Sequence, residues 1–119
     1  MSQANNIIDL INAGVRAENL RQKAISSNFA NLETPGYRRV DVTFKELLDA
    51  CSGKSESGEI SNAEPELYEP RDTPIDADGN DLTLEAEVGH MIKNSLRHKT
   101  YVRLLSRKYA QIELAIGTR

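Results

Sequence analysis

The 119-residue sequence predicts a mainly α fold. Long N- and C-terminal helices are expected to pair as an α-helical coiled coil, with a short extended or β segment and an irregular acidic middle loop between them. Apolar residues recur at alternating three- and four-residue steps at both ends. The middle holds three of the four prolines and follows no period. We expect an N-terminal helix over residues 1–33, a turn, strand and irregular acidic segment over 34–83, and a C-terminal helix over 84–119.

The first helix is predicted from about residue 3 to residue 32 by a seam in which six of eight positions are apolar: Ile8, Ile11, Val15, Ile25, Phe29 and Leu32. Glu18 and Gln22 form a polar break in that seam. A second seam beside it is rich in small residues, at Leu10, Ala13, Ala17, Leu20 and Ala24. Two seams predict a helix with more than one packing partner.

A turn is predicted at Thr34-Pro35-Gly36-Tyr37. Proline fixes φ at the second position of a type II turn, and glycine accepts the positive φ of the third position. Pro35 also disfavours a helical Thr34, so the helix is expected to end before it. Asn28 and Asn31 lie in the last turn, where amide side chains can bond exposed backbone carbonyls.

The middle of the chain gives weaker signals. Val40, Val42 and Phe44 alternate with polar residues, which predicts a short half-buried strand. Residues 44–51 are expected to form one or two helical turns. Residues 52–81 are interpreted as an extended loop, with disorder before binding as the alternative.

The C-terminal helix is predicted to begin after Thr83, a suitable N-cap, with Glu85 and Glu87 near its positive end and Gly117 as its stop. Eight of ten positions on its seam are apolar: Leu84, Val88, Met91, Val102, Leu105, Tyr109, Ile112 and Ile116. Such a helix is roughly 50 Å long. One N-terminal helix covers only one side of it, so further partners are expected.

The net charge of −3 argues against a nucleic-acid partner. The charge is uneven, at +2 over residues 1–40, −9 over 41–83 and +4 over 84–119. This pattern favours contact between copies, middle to end, with ordinary surface charge as the alternative. Cys51 is the only cysteine, so no intrachain disulfide forms. No transmembrane helix is expected, nor a cleaved secretory signal, because the start lacks a basic region and a long apolar run.

Candidate chemistry is weak. Asp76, Asp78, Asn80 and Glu87 have the spacing of a calcium loop, but Asp81 occupies the position that needs glycine. Glu87 and His90 have di-iron spacing, but only one such pair is present. His98 is interpreted as a packed interface residue. We therefore expect no catalytic residue, no cofactor, no metal and no small-molecule substrate.

Residues 26–39, "SSNFANLETPGYRR", resemble the N-terminal signature of the bacterial flagellar rod and hook proteins. The matching residues are Asn28, Ala30, Asn31, Thr34, Pro35, Gly36, Tyr37 and Arg38. Residues 82–119 are similar to the C-terminal region of the proximal rod members of that family. The matches there are Leu84, Glu85, Glu87, Asn94, Leu96, Arg97, Val102, Leu104, Leu105, Ser106, Arg107 and Lys108.

The resemblance implies a structural subunit of the proximal rod, the drive shaft of the flagellar basal body, which assembles helically through its terminal helices. It implies as partners other copies of the chain, other proximal rod proteins, and the MS-ring/rod adaptor and export gate at the membrane base. It also implies type III export to the periplasmic rod. The expected assembly interface consists of Ile8, Ile11, Val15, Ile25, Phe29, Leu84, Val88, Met91, Val102, Leu105, Tyr109, Ile112 and Ile116. The alternatives are another proximal rod paralogue, a cytoplasmic helical adaptor or export chaperone, and a metal enzyme.

Overall fold

The computed structural model describes residues 2–53, 60 and 62–117, with side chains from residue 7 onwards. The elements in chain order are α1 (Ser2–Ala30), β1 (Asp41–Thr43), α2 (Lys45–Cys51), β2 (Glu66–Tyr68) and α3 (Leu84–Gly117). The mainly helical fold predicted from the sequence is confirmed. None of the helices in the described part of the chain combines the length and apolarity needed to cross a membrane.

The two long helices form an antiparallel pair. Asn28 near the end of α1 contacts Glu87 near the start of α3, whereas Gly14, further back in α1, contacts Tyr101, further along α3. A Cβ atom added to Gly14 would lie 2.6 Å from the ring of Tyr101, so the ring rests directly against the α1 backbone. The described residues form an elongated body of 67 × 26 × 18 Å.

The hydrophobic core lies on an adjacent face of α1. Its buried members are Ala13, Ala17, Phe44 and Ile60, with Leu10, Leu47, Ala50 and Ala63 packed around them. The small-residue seam of α1 therefore faces the segment between the two long helices. This confirms that α1 has more than one packing partner.

Arg16 connects α1 to the segment around Ile60. Its Nη2 atom donates hydrogen bonds to the carbonyl oxygens of Ile60 and Ala63, at 2.8 and 3.3 Å. Its guanidinium lies 5.8 Å from the centroid of the Phe44 ring, a cation–π distance. One side chain thus binds two backbone acceptors and covers the aromatic member of the core.

The two short strands pair antiparallel, with Val42 opposite Leu67. Val42 and Phe44 are buried, so the strand predicted around them is confirmed, as is the short helix that follows. The interpretation of residues 52–81 as an extended loop was wrong where β2 lies. The three residues of β2 are all exposed and show no alternation, so its order comes from backbone pairing. Residues 54–59 and 61, which belong to the predicted loop, lie outside the described residues.

The start of α3 follows the predicted capping chemistry. Thr83 Oγ1 accepts a hydrogen bond from the Ala86 amide at 3.3 Å, and the Thr83 carbonyl accepts one from the Glu87 amide at 3.1 Å. This is the N-cap geometry expected of a threonine before a helix. It fixes where α3 begins, and therefore where Glu87 sits relative to the end of α1.

Candidate functional site

A buried polar junction joins the end of α1, the chain that leaves it, and the start of α3. At its centre Asn28 is fully buried. Its Nδ2 atom donates to the Val40 carbonyl at 2.9 Å, and its Oδ1 atom accepts from the Val40 amide at 3.0 Å. The side-chain amide therefore pairs with the backbone as a neighbouring strand would. This pairing holds the outgoing chain against the helix that it has just left.

Glu87 links the same asparagine to a buried arginine. Its Oε2 atom accepts from Asn28 Nδ2 at 3.2 Å, and its Oε1 atom accepts from Arg39 Nε at 3.2 Å. Burial, the largest influence, lowers the pKa of Arg39. The hydrogen bond and charge of Glu87, together with Asp41, outweigh it and raise that pKa above its ordinary value. Because both carboxylate oxygens are hydrogen-bonded, the burial of this charge is compensated.

The predicted turn is confirmed. The Tyr37 amide donates to the Thr34 carbonyl at 3.3 Å, and Gly36 has a φ of +76°. The Gly36 amide in turn donates to the Asp78 carbonyl at 2.7 Å. Gly79, with a φ of +80°, lies so near that a Cβ added to it would be 3.5 Å from Gly36 Cα. Two glycine turns are thus stacked against each other.

The other motif residues surround this turn. Asn31 Nδ2 donates to the Ser27 carbonyl at 2.8 Å, as expected for an amide in the last helical turn, and Asn31 Oδ1 accepts from Thr34 Oγ1 at 3.0 Å. Tyr37 and Ser27 share a hydroxyl hydrogen bond of 2.8 Å. Ala30 and Pro35 are exposed. Some motif residues therefore form a local hydrogen-bond network that caps α1, and others are exposed to solvent.

Asn80 caps the end of α1 from the loop that precedes α3. Its Nδ2 atom donates to the carbonyls of Asn31, Leu32 and Thr34, at 3.0, 3.3 and 2.8 Å. The last carbonyls of a helix have no partner within it, so this side chain satisfies acceptors that would otherwise be unpaired. The sequence pattern does not predict this role. Its only signal is the turn chemistry of "DADGN", which also has the spacing of a calcium loop.

Asp81 anchors the chain after the turn. Its carboxylate accepts from the Arg39 amide at 2.6 Å, from Arg38 Nε at 3.1 Å and from Thr73 Oγ1 at 3.2 Å. Burial, the largest influence, raises the pKa of Asp81, but these hydrogen bonds and the charge of Arg38 together lower it below its ordinary value. The ionised form is therefore the one that the fold stabilises.

A second polar layer lies within the helix pair. Asn94 Nδ2 donates to the carbonyl of Glu18 at 2.8 Å and to its Oε1 atom at 3.2 Å. Glu18 also pairs with Arg21, whose Nε atom lies 3.5 Å from Asp41 Oδ1. The polar break predicted at Glu18 thus meets a polar partner on α3. Buried polar groups that are fully paired in this way fix the register of two helices.

The residues considered for metal binding are engaged elsewhere. Asp76 Oδ1 accepts from the amides of Asp78 and Asn80, at 2.9 and 3.0 Å, and so stabilises the turn itself. Glu87 is occupied by Asn28 and Arg39. Over the described ranges of the chain, no three His, Cys, Asp or Glu side chains are grouped so as to hold a metal ion.

The predicted seam of α3 is not the face that packs on α1. The residues that face α1 are Glu87, Asn94 and Tyr101, one heptad apart. The predicted seam lies beside that face. Its residues Leu84, Met91, Val102, Tyr109, Ile112 and Ile116 are 38–66% exposed, while Val88 and Leu105 are half-buried. We call these eight residues the apolar flank.

The α1 residues expected at the interface are distributed differently. Ile11 and Ile25 are buried, whereas Ile8, Val15 and Phe29 are half-buried. Ile25 and Phe29 line a groove between the helices together with Met91 and His98. The apolar flank of α3 therefore continues across this groove onto α1.

These features define a class of protein: a structural subunit of an assembly, with paired terminal helices, a rigid exit turn and a large exposed apolar surface. Comparison with known proteins gives the particular family. The chain is 30% identical to the flagellar basal body rod protein FlgB of Cereibacter sphaeroides, covering 87% of this chain and 91% of the relative. It is 25% identical to that of Bacillus subtilis, over 92% of each chain, and 26% identical to that of Aeromonas hydrophila, over 81% of each.

No protein-family model matches the chain. The chain nevertheless belongs to the family of flagellar basal body rod proteins FlgB, because its similarity to these relatives extends over nearly the whole length of both. As a member of that family it is a structural subunit of the rod of the flagellar basal body. The prediction made from the two terminal motifs is confirmed.

Proposed function

We propose that this rod subunit forms part of the proximal rod and that the apolar flank of α3 is its main surface for packing against neighbouring subunits. The observation that carries the proposal is the exposure of six large apolar side chains along one side of a single helix. Soluble monomers rarely expose contiguous apolar patches larger than a few hundred Å². A surface of this kind fits a subunit whose neighbours cover it.

The energetics favour burial of this flank in an assembly. Fully burying a large aliphatic or aromatic side chain contributes about 1.5–3 kcal/mol relative to leaving it exposed. Several such side chains together outweigh much of the entropy that a subunit loses on joining an assembly. The neighbours that we propose are other copies of the chain and other proximal rod proteins.

The polar junction suits a subunit that must keep its shape under torque. It fixes the chain that leaves α1 relative to both helices through Asn28, Asn80 and Asp81. We propose that the helices of residues 1–33 and 84–119 form the shaft-facing core and that residues 34–83 are carried outside it. We further propose that the subunit lies in the periplasmic space beside the MS-ring/rod adaptor and export gate, and that it reaches this position by type III export. We propose no catalytic activity for it.

The test is incorporation into basal bodies. A tagged chain is expressed in the host bacterium in place of its native copy, and basal bodies are purified and probed for the tag. Val102→Glu, on the apolar flank, should abolish incorporation. Leu67→Glu, which changes an exposed apolar residue on β2, away from the apolar flank, should retain it. Circular dichroism of both variants checks that each remains folded.

A wild-type chain that stays in the cytoplasm would support an adaptor or export chaperone instead. Incorporation of both variants at the wild-type level would show that the apolar flank is free in the rod. Equal loss of both would show that the flank is not specifically required.

A further inference from the structure

One side of α3 carries three arginines that pair with no carboxylate in the part of the chain that the structure describes. Arg97, Arg103 and Arg107 are exposed, and no carboxylate within the described residues forms a salt bridge with them. At about 100° per residue they fall within an arc of roughly 120° of the helix surface. We call this side the basic flank. It is separate from the apolar flank, which lies on the other side of the face that packs on α1. Exposed Leu96, Leu104 and Leu114 lie among these arginines, so the basic flank also carries apolar surface.

The basic flank borders an open groove of about 510 Å³. Lys93 and Arg97 lie on its α3 wall, and Leu47 and Leu48 of α2 also line it. Its four basic side chains outnumber its two carboxylates: Arg21, Arg39, Lys93 and Arg97 against Glu18 and Asp41. The flank therefore offers both positive charge and a recess next to it. Positive charge beside a recess suits an acidic loop of a partner, which can enter the groove, better than it suits the side of a helix.

The same chain carries a complementary surface at its other end. Glu33, Asp76 and Asp78 line one shallow groove beside the stacked glycine turns, and all three are exposed. None of these carboxylates forms a salt bridge with a described residue. We call this surface the acidic end. The side chains of Glu33 and Asp78 take part in none of the hydrogen bonds of the junction.

The two surfaces do not neutralise each other within one chain. The acidic end lies at the level of Glu87, whereas Arg97 and Arg107 are 10 and 20 residues further along α3, a distance of about 15–30 Å along the helix axis. Charges on the surface are screened beyond about 8–10 Å at ordinary ionic strength. The two surfaces therefore do not pair within one copy, and each is open to a counter-charge on another molecule.

We propose that the basic flank of one copy is the docking surface for the acidic end of a second copy. Because the two surfaces lie at different levels of an elongated body, the contact is head-to-tail. Repeated head-to-tail contacts generate an open helical array unless the rotation happens to close into a ring. This inference rests on the proposed rod assembly and adds to it: apolar burial supplies the affinity, and charge sets the relative orientation of neighbours.

The experiment measures self-association of the purified full chain by sedimentation velocity, at about 0.05 M and about 1 M salt, because screening separates charge contacts from apolar ones. Two variants reverse one surface each: Arg103→Glu with Arg107→Glu, and Glu33→Lys with Asp78→Lys. At low salt each variant should associate with itself roughly tenfold more weakly than wild type, since several ion pairs become repulsive. An equimolar mixture of the two variants should recover association, because the reversed surfaces are complementary.

The matched control is Lys23→Glu with Lys45→Glu, which makes the same change in net charge as the arginine variant, at exposed positions off both surfaces. It should associate as wild type does. Self-association of the reversed variants at wild-type strength, no recovery in the mixture, or a wild-type chain that stays monomeric at low salt would each overturn the inference. Incorporation into basal bodies is measured separately. Charge-reversed variants that still incorporate would refute the charge contact alone. A wild-type chain that is absent from basal bodies would refute the proposed function.

Discussion

Asn28 and Val40 are joined by two hydrogen bonds, 2.9 and 3.0 Å long, in which a side-chain amide pairs with a backbone amide and carbonyl. The two residues lie on opposite sides of the Thr34–Tyr37 turn, so this pair closes the loop that the turn opens. The same asparagine reaches Glu87 on α3. A single buried side chain thus fixes three segments.

Asn28→Ala should destabilise the fold by about 2–4 kcal/mol, because it leaves the Val40 backbone groups and part of Glu87 buried without partners. Asn31→Ala is the matched control. It removes an amide whose bond to Ser27 lies in an exposed setting, so about 0.5–1 kcal/mol or less is expected. Urea unfolding followed by circular dichroism measures both. Equal losses for the two variants would contradict the central position assigned to Asn28.

Gly36→Ala should destabilise the fold by about 1–2 kcal/mol, because an L side chain resists the positive φ of this residue even though no atom lies within 4 Å of the added Cβ. Gly89→Ala is the control within α3, where open space and helical φ should make alanine stabilising by about 0.5–1 kcal/mol. Changes of opposite sign in the free energy of unfolding are the expected result. A neutral Gly36→Ala would argue against the turn.

Gly36→Val should in addition disrupt assembly, because a β-branched residue resists a positive φ. Normal motility of that mutant would count against the turn assigned to Thr34–Tyr37.

Gly14→Ala should destabilise the helix pair by about 1–3 kcal/mol, because its Cβ would lie 2.6 Å from the Tyr101 ring and the ring would have to shift from its place against α1. Tyr101→Ala alone should also be destabilising, through lost burial. In the double variant the two losses should be clearly less than additive, because removal of the ring makes room for the new methyl group. Additive losses, measured by the same urea titrations, would show that the two residues are not in contact.

Asp81 should make stability depend on pH in the acid range. Its pKa is lowered in the folded state, so its contribution is complete above the unfolded value of about 4 and is lost as pH falls through the lower folded value. Asp81→Asn should lower the free energy of unfolding at pH 7 and flatten its decline below about pH 4. Asp72→Asn, at an exposed position nearby, should retain the wild-type decline. If the free energy of unfolding of Asp81→Asn declined below about pH 4 as it does in wild type, Asp81 would not be the source of this pH dependence.

The sequence predicted what local chemistry encodes. The ends of α1 and α3, the Thr34–Tyr37 turn and the Thr83 cap all depend on residues within a few positions of one another. The sequence did not predict the partners of Asn80 and Asp81, because these side chains act across more than 40 residues. Nothing in their own neighbourhood distinguishes a distant cap from a solvated acidic turn.

The sequence also left open which side of α3 packs against α1. Apolar periodicity identified the helix but did not show which of its sides faces α1, where Glu87 and Asn94 make the intramolecular contacts. A periodic apolar stripe is usually assumed to face the core of its own chain. In a subunit whose neighbours supply further partners, the more apolar stripe can remain on the outside of the isolated chain. The exposed flank is consistent with the assembly interface predicted from the sequence, which stays a prediction.

A cryo-microscopy map of basal bodies purified from the host bacterium would show whether the apolar flank is buried in the proximal rod. We expect density for this chain in the proximal rod, with Val102 and Tyr109 of the apolar flank within about 4–4.5 Å of apolar atoms of an adjacent subunit. A map in which this flank faces solvent, or in which the chain is absent from the rod, would contradict this expectation.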